Sequence, residues 1–197
     1  MGSPIVTMQQ VIARGPVAVD APAQVALAEI IQAATDAIEA QCNRVFVQQV
    51  FMQTYDGYRK PVGRNGDHLY LDNPPVAISP MPTVTENGIA LTVTASYDAA
   101  GAFGVVLNPD DGFLIRTPSP WAWGNRNLVV TYTGGFPTVP GDIVSACVEL
   151  TWLMWTTASK SGGWNGYTTG DVNAQLIREL SAASQAAIQR HTLWGRP

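Results

Sequence analysis

Charge is what this sequence has least of: Lys, Arg, Asp and Glu together make up 13% of its 197 residues, about half the share usual in a soluble domain. So thin a charged coat implies that part of the surface is covered by copies of the chain or by partners. The charges present sum to −4, and no Lys/Arg stripe appears along the chain, which excludes a protein that grips nucleic acid. A passage through which DNA slides remains compatible, because a neutral or acidic wall does not hold phosphates. Cysteine is nearly absent too. Cys42 and Cys147 fall on apolar stripes of two different expected helices, so they read as buried free thiols of a cytosolic product and not as a disulfide framework. The two histidines, His68 and His191, have no Cys or second His at ligand spacing, which argues against a zinc site. Long apolar runs are missing as well: Asp142, Glu149 and Lys160 break the most hydrophobic stretch well short of the ~20 residues a membrane span needs. The start, Met-Gly-Ser-Pro-Ile-Val-Thr-Met, has no basic region ahead of an apolar run, so no secretory leader is expected.

What is present centres on the stretch from Leu128 to Leu150. Leu128, Val130 and Tyr132 alternate with Val129, Thr131 and Thr133, the period-two pattern of a strand. Gly134-Gly135 stops it, and Pro140 and Asp142 suit the first turn of a helix, where a missing N–H loses nothing and a carboxylate meets the positive helix end. In that helix Ile143, Ala146, Cys147, Leu150, Leu153 and Met154 make one apolar stripe, and Val144, Val148, Trp152 and Trp155 make a second. A helix apolar on two faces is buried on two sides, either as the central helix of its own core or against a neighbouring subunit.

Residues 1–19 show no period and read as an arm or loop. A helix starts near Asp20, a plausible N-cap ahead of Pro22, carries the stripe Leu27, Ile31, Ala34, Ile38 and Cys42, and ends near Asn43. From Val45 to Tyr55 the character turns extended, with Val45, Val47 and Phe51 inward and Gln48, Gln49 and Gln53 as an uncharged outer face. The only basic cluster, in Gly57–Gly66, sits on a glycine-rich loop and reads as solvated. Short strands follow at hairpin spacing. Asn87-Gly88 marks one hairpin, since both residues tolerate positive φ, and Asn108-Pro-Asp-Asp-Gly112 separates the strands of a second. A last helix is expected from about Asp171 to His191, with Leu176, Leu180, Ala183 and Ala187 on one stripe and Asp171 as its cap. The fold class is therefore α+β, a helical body of three main helices with a large antiparallel β insertion. Its segments are 1–44, an N-terminal arm and helix; 45–133, the insertion; 134–191, the C-terminal helices; and 192–197, a tail.

A search for chemistry finds no active site, and no enzymatic activity, cofactor or metal is expected. Asp110-Asp111-Gly112 lacks the alternating oxygen ligands and closing Glu of a calcium loop and reads as a turn. The strand-to-helix elbow holds Gly134, Gly135 and Phe136 where a hydrolase would place its serine. Gly162-Gly163-Trp164-Asn165-Gly166 is followed by no Lys-Ser or Lys-Thr, so it cradles no phosphate. Trp121, Trp123 and Trp164, set beside Gly and Asn, are compatible with sugar-stacking platforms of a glycan- or other ligand-binding β module, or with interface anchors.

Leu71-Asp-Asn-Pro-Pro-Val-Ala-Ile78, Asn87-Gly88, Tyr97-Asp98, Trp121 with Gly124, and Val129 to Ile143 with Ala146, Glu149 and Leu150 occur in the order found in head-tail connector (adaptor, or head-completion) proteins of long-tailed bacteriophages. The chain resembles that family over residues 23–154, most specifically over 129–150, and departs from it after Met154. The resemblance implies a helical body with a β-rich insertion, and a ring of copies under the portal, with the portal's twelvefold symmetry, that links the DNA-filled head to the tail. The partners implied are further copies, the portal protein, a downstream neck or tail-completion protein, and genomic DNA passing through the lumen without sequence-specific binding. The location implied is the virion neck, after synthesis in the host bacterial cytoplasm; a tail-completion protein is the related alternative. On this basis Trp152, Trp155 and Trp164 are candidates for the subunit interface, the first two as outward-facing side chains. Arg190, Leu193, Trp194 and Arg196 are candidates for a portal-docking arm, mobile until bound, that takes acidic partners; burial of Leu193 and Trp194 against the chain's own body is the equal alternative.

Overall fold

The computed structural model describes residues 3–15, 21–57, 67–95, 104–117, 119–160 and 175–193. The chain forms two compact units: a helical body from Met1–Val47 and Thr138–Leu193, and a β unit within Gln48–Pro137. The fold class is α+β, helices carrying a β insertion.

The body contains α1 (Met8–Arg14), α2 (Ala21–Cys42), α3 (Gly141–Lys160) and α4 (Ala182–His191). Helix α1 lies in the segment expected to be an arm. Its start is a reciprocal capping box: Thr7 Oγ1 accepts from Gln10 N at 3.2 Å, and Gln10 Oε1 accepts from Thr7 N at 2.8 Å, so two otherwise orphaned donors are satisfied. Helix α2 buries Leu27, Ile30, Ile31, Ala34, Ile38 and Cys42 and ends at Asn43, whose φ of 52° is the left-handed cap conformation that Asn tolerates. Helix α3 packs on α1, α2 and α4. Ile143, Ala146, Cys147, Leu150 and Met154 of one stripe and Val148 and Trp152 of the other are buried, in keeping with the central-helix reading, while Val144, Leu153 and Trp155 are half-buried.

The expected last helix, 171–191, is not continuous. A helical turn at residues 175–178 stops, and α4 begins afresh with Ser181 as N-cap, its Oγ accepting from Ser184 N at 3.3 Å. The break shifts the stripe, so Leu176, Leu180, Ser184, Ala187 and Ile188 are buried while Ala183 faces out. Asp171 lies outside the described residues, as does Asp20.

The β unit is two four-stranded sheets around one core. The first sheet has the order β1 (Gln49–Tyr55), β8 (Leu128–Gly134), β3 (Thr83–Glu86), β4 (Ile89–Leu91), all antiparallel. The second has the order β2 (His68–Tyr70), β7 (Phe113–Thr117), β6 (Gly104–Asn108), β5 (Val93–Thr94), antiparallel except for the β5–β6 pair. Leu69, Leu71, Val105, Leu107 and Leu114 from one side meet Tyr55, Val84, Leu128, Val130 and Tyr132 from the other. Asn87 and Gly88, at φ 51° and 80°, turn β3 into β4 as the hairpin signature requires. The Asp110-Asp111-Gly112 segment is the turn between β6 and β7, with Asn108 Oδ1 accepting from Asp111 N at 3.2 Å. At the elbow, Gly135 has φ 96°, and a Cβ on Gly134 would stand 2.4 Å from Asn73 O, so both positions require glycine.

Strand β1 keeps Phe51 inward, as expected, and corrects the facing of Gln53. Gln53 points inward, where its Nε2 donates to Asp72 Oδ2 at 2.6 Å and its Oε1 accepts from Tyr132 Oη at 2.8 Å and from Tyr55 Oη. Phe51 stacks on Tyr132 on the same face. Val50 and Met52 are therefore the outward side chains, 69% and 75% exposed.

Candidate functional site

The candidate residues on α3 and near the C-terminus are used differently from the sequence expectation. Trp152 is not outward-facing: it is 8% exposed, and its Nε1 donates to Val11 O at 3.1 Å. Helix α1 and the residue that ends it form its cover. A Cβ at Gly15 would stand 1.8 Å from Trp152 Cζ2, so the indole lies where only a glycine backbone can approach. Trp155 is half-buried, edge-on to Trp152 with ring centroids 6.3 Å apart. Trp164 lies outside the described residues.

Of the docking candidates, Arg190 already has a partner in its own chain. Its Nη1 sits 2.9 Å from Asp142 Oδ2, an oxygen that His191 Nε2 also approaches at 3.3 Å. The pair joins the last turn of α4 to the first turn of α3, where Asp142 complements the helix dipole. Thr192 Oγ1 donates to Ile188 O at 2.8 Å, and Leu193 N donates to Cys42 O at 2.9 Å. The backbone is thus hydrogen-bonded to the end of α2 as far as Leu193, which is the one residue of the candidate arm past Thr192 that the structure describes. Trp194 and Arg196 lie outside the described residues.

Titratable groups in the body serve as staples. Glu149 on α3 accepts from Ser181 N, Ser181 Oγ and Ser184 Oγ at 2.6, 2.8 and 2.5 Å. Partial burial works to raise its pKa, but the bonds from Ser184 and Ser181 outweigh this and hold the carboxyl below its ordinary value. Burial pushes the thiol of Cys42 up to about 11 and that of Cys147 to about 12, so neither is a thiolate nucleophile at neutral pH. Among the described residues no three His, Cys, Asp or Glu side chains converge as a metal site. No helix in that set is long and apolar enough to cross a membrane.

In the β unit the tryptophans differ sharply in exposure. Trp121 is 2% exposed within the core and is excluded as a sugar-stacking platform. Its neighbour Trp123 is 73% exposed on a loop tied at many points. Gly57 N donates to Gly124 O and to Asn127 Oδ1, Asn127 Nδ2 donates to Ala122 O, and Arg126 N donates to Asp56 Oδ1. Beneath that loop Ala122 N donates to Glu86 Oε1 at 2.7 Å, while Glu86 Oε2 pairs with Arg116 at 3.2 Å, both side chains 10% exposed. This buried pair ties β3 of one sheet to β7 of the other. A second apolar exposure is the outer side of the first sheet, marked by Val50 and Met52. The strand pattern of 45–55 signalled a strand and an inward Phe51 but placed Gln53 outward, because an inward glutamine is decided by partners from β8 and from the turn after β2.

No protein-family profile and no curated protein matches the chain. Solved structures do. A chain in the neck of a native GTA particle computed with C12 symmetry is 20% identical, with 100% of both chains covered and a TM-score of 0.55. A chain in the virion of a native gene transfer agent (GTA) particle is 20% identical over 96% of this chain and 91% of that one, with a TM-score of 0.61. A chain in the neck of an empty GTA particle computed with C6 symmetry is 21% identical over 88% and 83%, with a TM-score of 0.56. At these identities the likeness is one of fold.

Proposed function

We propose that this chain is a structural protein of the neck of a phage-like particle, an adaptor that assembles as a ring under the portal and links the DNA-filled head to the tail. The observation that carries this reading is the match of the whole chain, end to end, to a chain from a particle neck computed with C12 symmetry. The sequence resemblance to phage head-tail connectors points to the same place independently. The makeup of the chain supports it too, since charge is scarce and net acidic, as suits a subunit that packs against copies and lines a passage for DNA without holding it. The partners of this reading are further copies, the portal, a downstream neck or tail-completion protein, and DNA in the lumen. The tail from Leu193 through Trp194 to Arg196 is the segment proposed to meet the portal; Arg190 stays with Asp142. Mixing the purified chain with the portal ring of the particle that encodes it and imaging the mixture by electron microscopy tests the proposal. A ring of copies stacked on the portal, with about twelve subunits closed by a heterologous contact, is the expected result. A chain that stays monomeric and leaves the portal bare would refute it.

A further inference from the structure

We propose that the outer face of the β1–β8–β3 sheet is a contact surface for a second copy of this chain, an inference that rests on the ring assembly proposed above. Antiparallel register places Val50 opposite Thr133 and Met52 opposite Thr131, and Thr131 in turn lies opposite Thr83. Side chains alternate across a strand, so these residues share one face, together with Thr85 opposite Val129. No outward position of the three strands carries a charge. Val50 and Met52, the two most outward apolar side chains of β1, are adjacent on that face and more than two-thirds exposed. Covering a face of threonine methyls and hydroxyls around two apolar side chains desolvates no ion, and the hydroxyls are able to hydrogen-bond across the contact.

Three observations select a second copy as the occupant. First, each copy carries a net charge of −4, so copies repel except where they meet through an uncharged face; a basic or nucleic-acid partner would require charge here. Second, β1 is an edge strand whose other side pairs with no strand among the described residues. Its sequence, Gln-Val-Phe-Met-Gln-Thr-Tyr, contains neither the Lys nor the Pro that usually guards an exposed edge. Such an edge is a liability in a free subunit and is protected once a neighbour covers it. Third, three strands about 4.8 Å apart and about 3.4 Å per residue long give a patch on the order of 300 Å², against ~800 Å² per partner in a standard stable interface. The patch is too small to hold a free dimer, and it fits a subunit that joins its neighbours only when a portal gathers the copies.

The test uses the full chain with its portal ring. Met52→Glu and Thr131→Lys place a charge at the centre of the face on side chains that point outward, and each variant is first checked for an unchanged thermal melt. The yield of rings on the portal should fall by about tenfold or more, because a charge trapped without a partner is costly. In parallel, a photo-crosslinking amino acid at position 52 should yield, in assembled particles, products at multiples of the chain's own mass. Rings that form equally well with both variants, or a position-52 crosslink made only to a different protein, would overturn the inference while leaving the neck assignment intact. A wild-type chain that forms no ring on the portal would overturn the reading beneath it and the inference together.

Discussion

Both units bury large rings, but the exposed large apolar side chains are divided unequally: the body joins its helices with charged groups, whereas the β unit carries most of the apolar exposure. Trp152 and Phe46 are buried in the body, and Glu149, Asp142, Arg190 and His191 staple α3 to α4. Of the large hydrophobic side chains exposed among the described residues, only Val25 belongs to the body; Val50, Met52, Ile78, Ile89 and Trp123 belong to the β unit. Exposed aromatic and aliphatic clusters mark interaction surfaces more reliably than total apolar content does. On the assembly proposed above, the exposed apolar side chains of the insertion are the surfaces offered to further copies, and the described core of the body is occupied by its own helices.

The largest effect that would break this comparison lies at Trp152. Replacement by Ala should cost about 3–5 kcal/mol, read as a lowered midpoint in urea unfolding, and Gly15→Ala should destabilise in the same direction by driving a methyl into the indole. A variant at Trp152 that folds normally and fails only in assembly would restore the outward-facing reading. Next comes the buried pair in the β unit. Arg116→Met leaves the Glu86 carboxylate without its cation and should cost about 3 kcal/mol; thermal unfolding of the variant checks it.

A smaller effect concerns acid. The folded-state pKa of Glu149 lies below its ordinary value, so its contribution is fully present above the unfolded carboxyl range, about pH 4, and is lost as pH falls through the folded value. The Glu149→Gln variant should therefore lose less stability on acidification than the wild type does; parallel pH-melting curves would contradict the staple. Smallest of all, Met52→Lys should change stability by no more than about 0.5 kcal/mol. Together with Trp152→Ala this sharpens the contrast between a surface reserved for partners and a core.

Much of the fold was legible because its signals are local. The period change near Asn43, the Asn87-Gly88 turn and the glycine elbow at 134–135 each follow from what one or two residues permit. Helix α1 was missed although Thr7 and Gln10 stand at capping-box spacing, since a seven-residue helix has too few turns to show a period. The inward Gln53 and the covered Trp152 had no local signal. Gln53 turns inward because Tyr55, Tyr132 and Asp72 meet it there, and Trp152 is buried because α1 and Gly15, far away in sequence, lie over it. A two-faced helix states that both faces are covered; only the tertiary contacts say by what. The break before Ser181 was hidden for a related reason, as no Gly or Pro marks it and Glu149, from another helix, holds the new N-terminus.

Hydroxyl-radical footprinting of the free chain and of the assembled neck tests the contrast between the two units most directly, because methionine and tryptophan side chains report their own exposure. Met52 should react fast in the free chain and become protected on assembly, while Trp152 stays slow in both states. Met52 equally reactive before and after assembly, with new protection confined to the tryptophans of α3, would contradict the account.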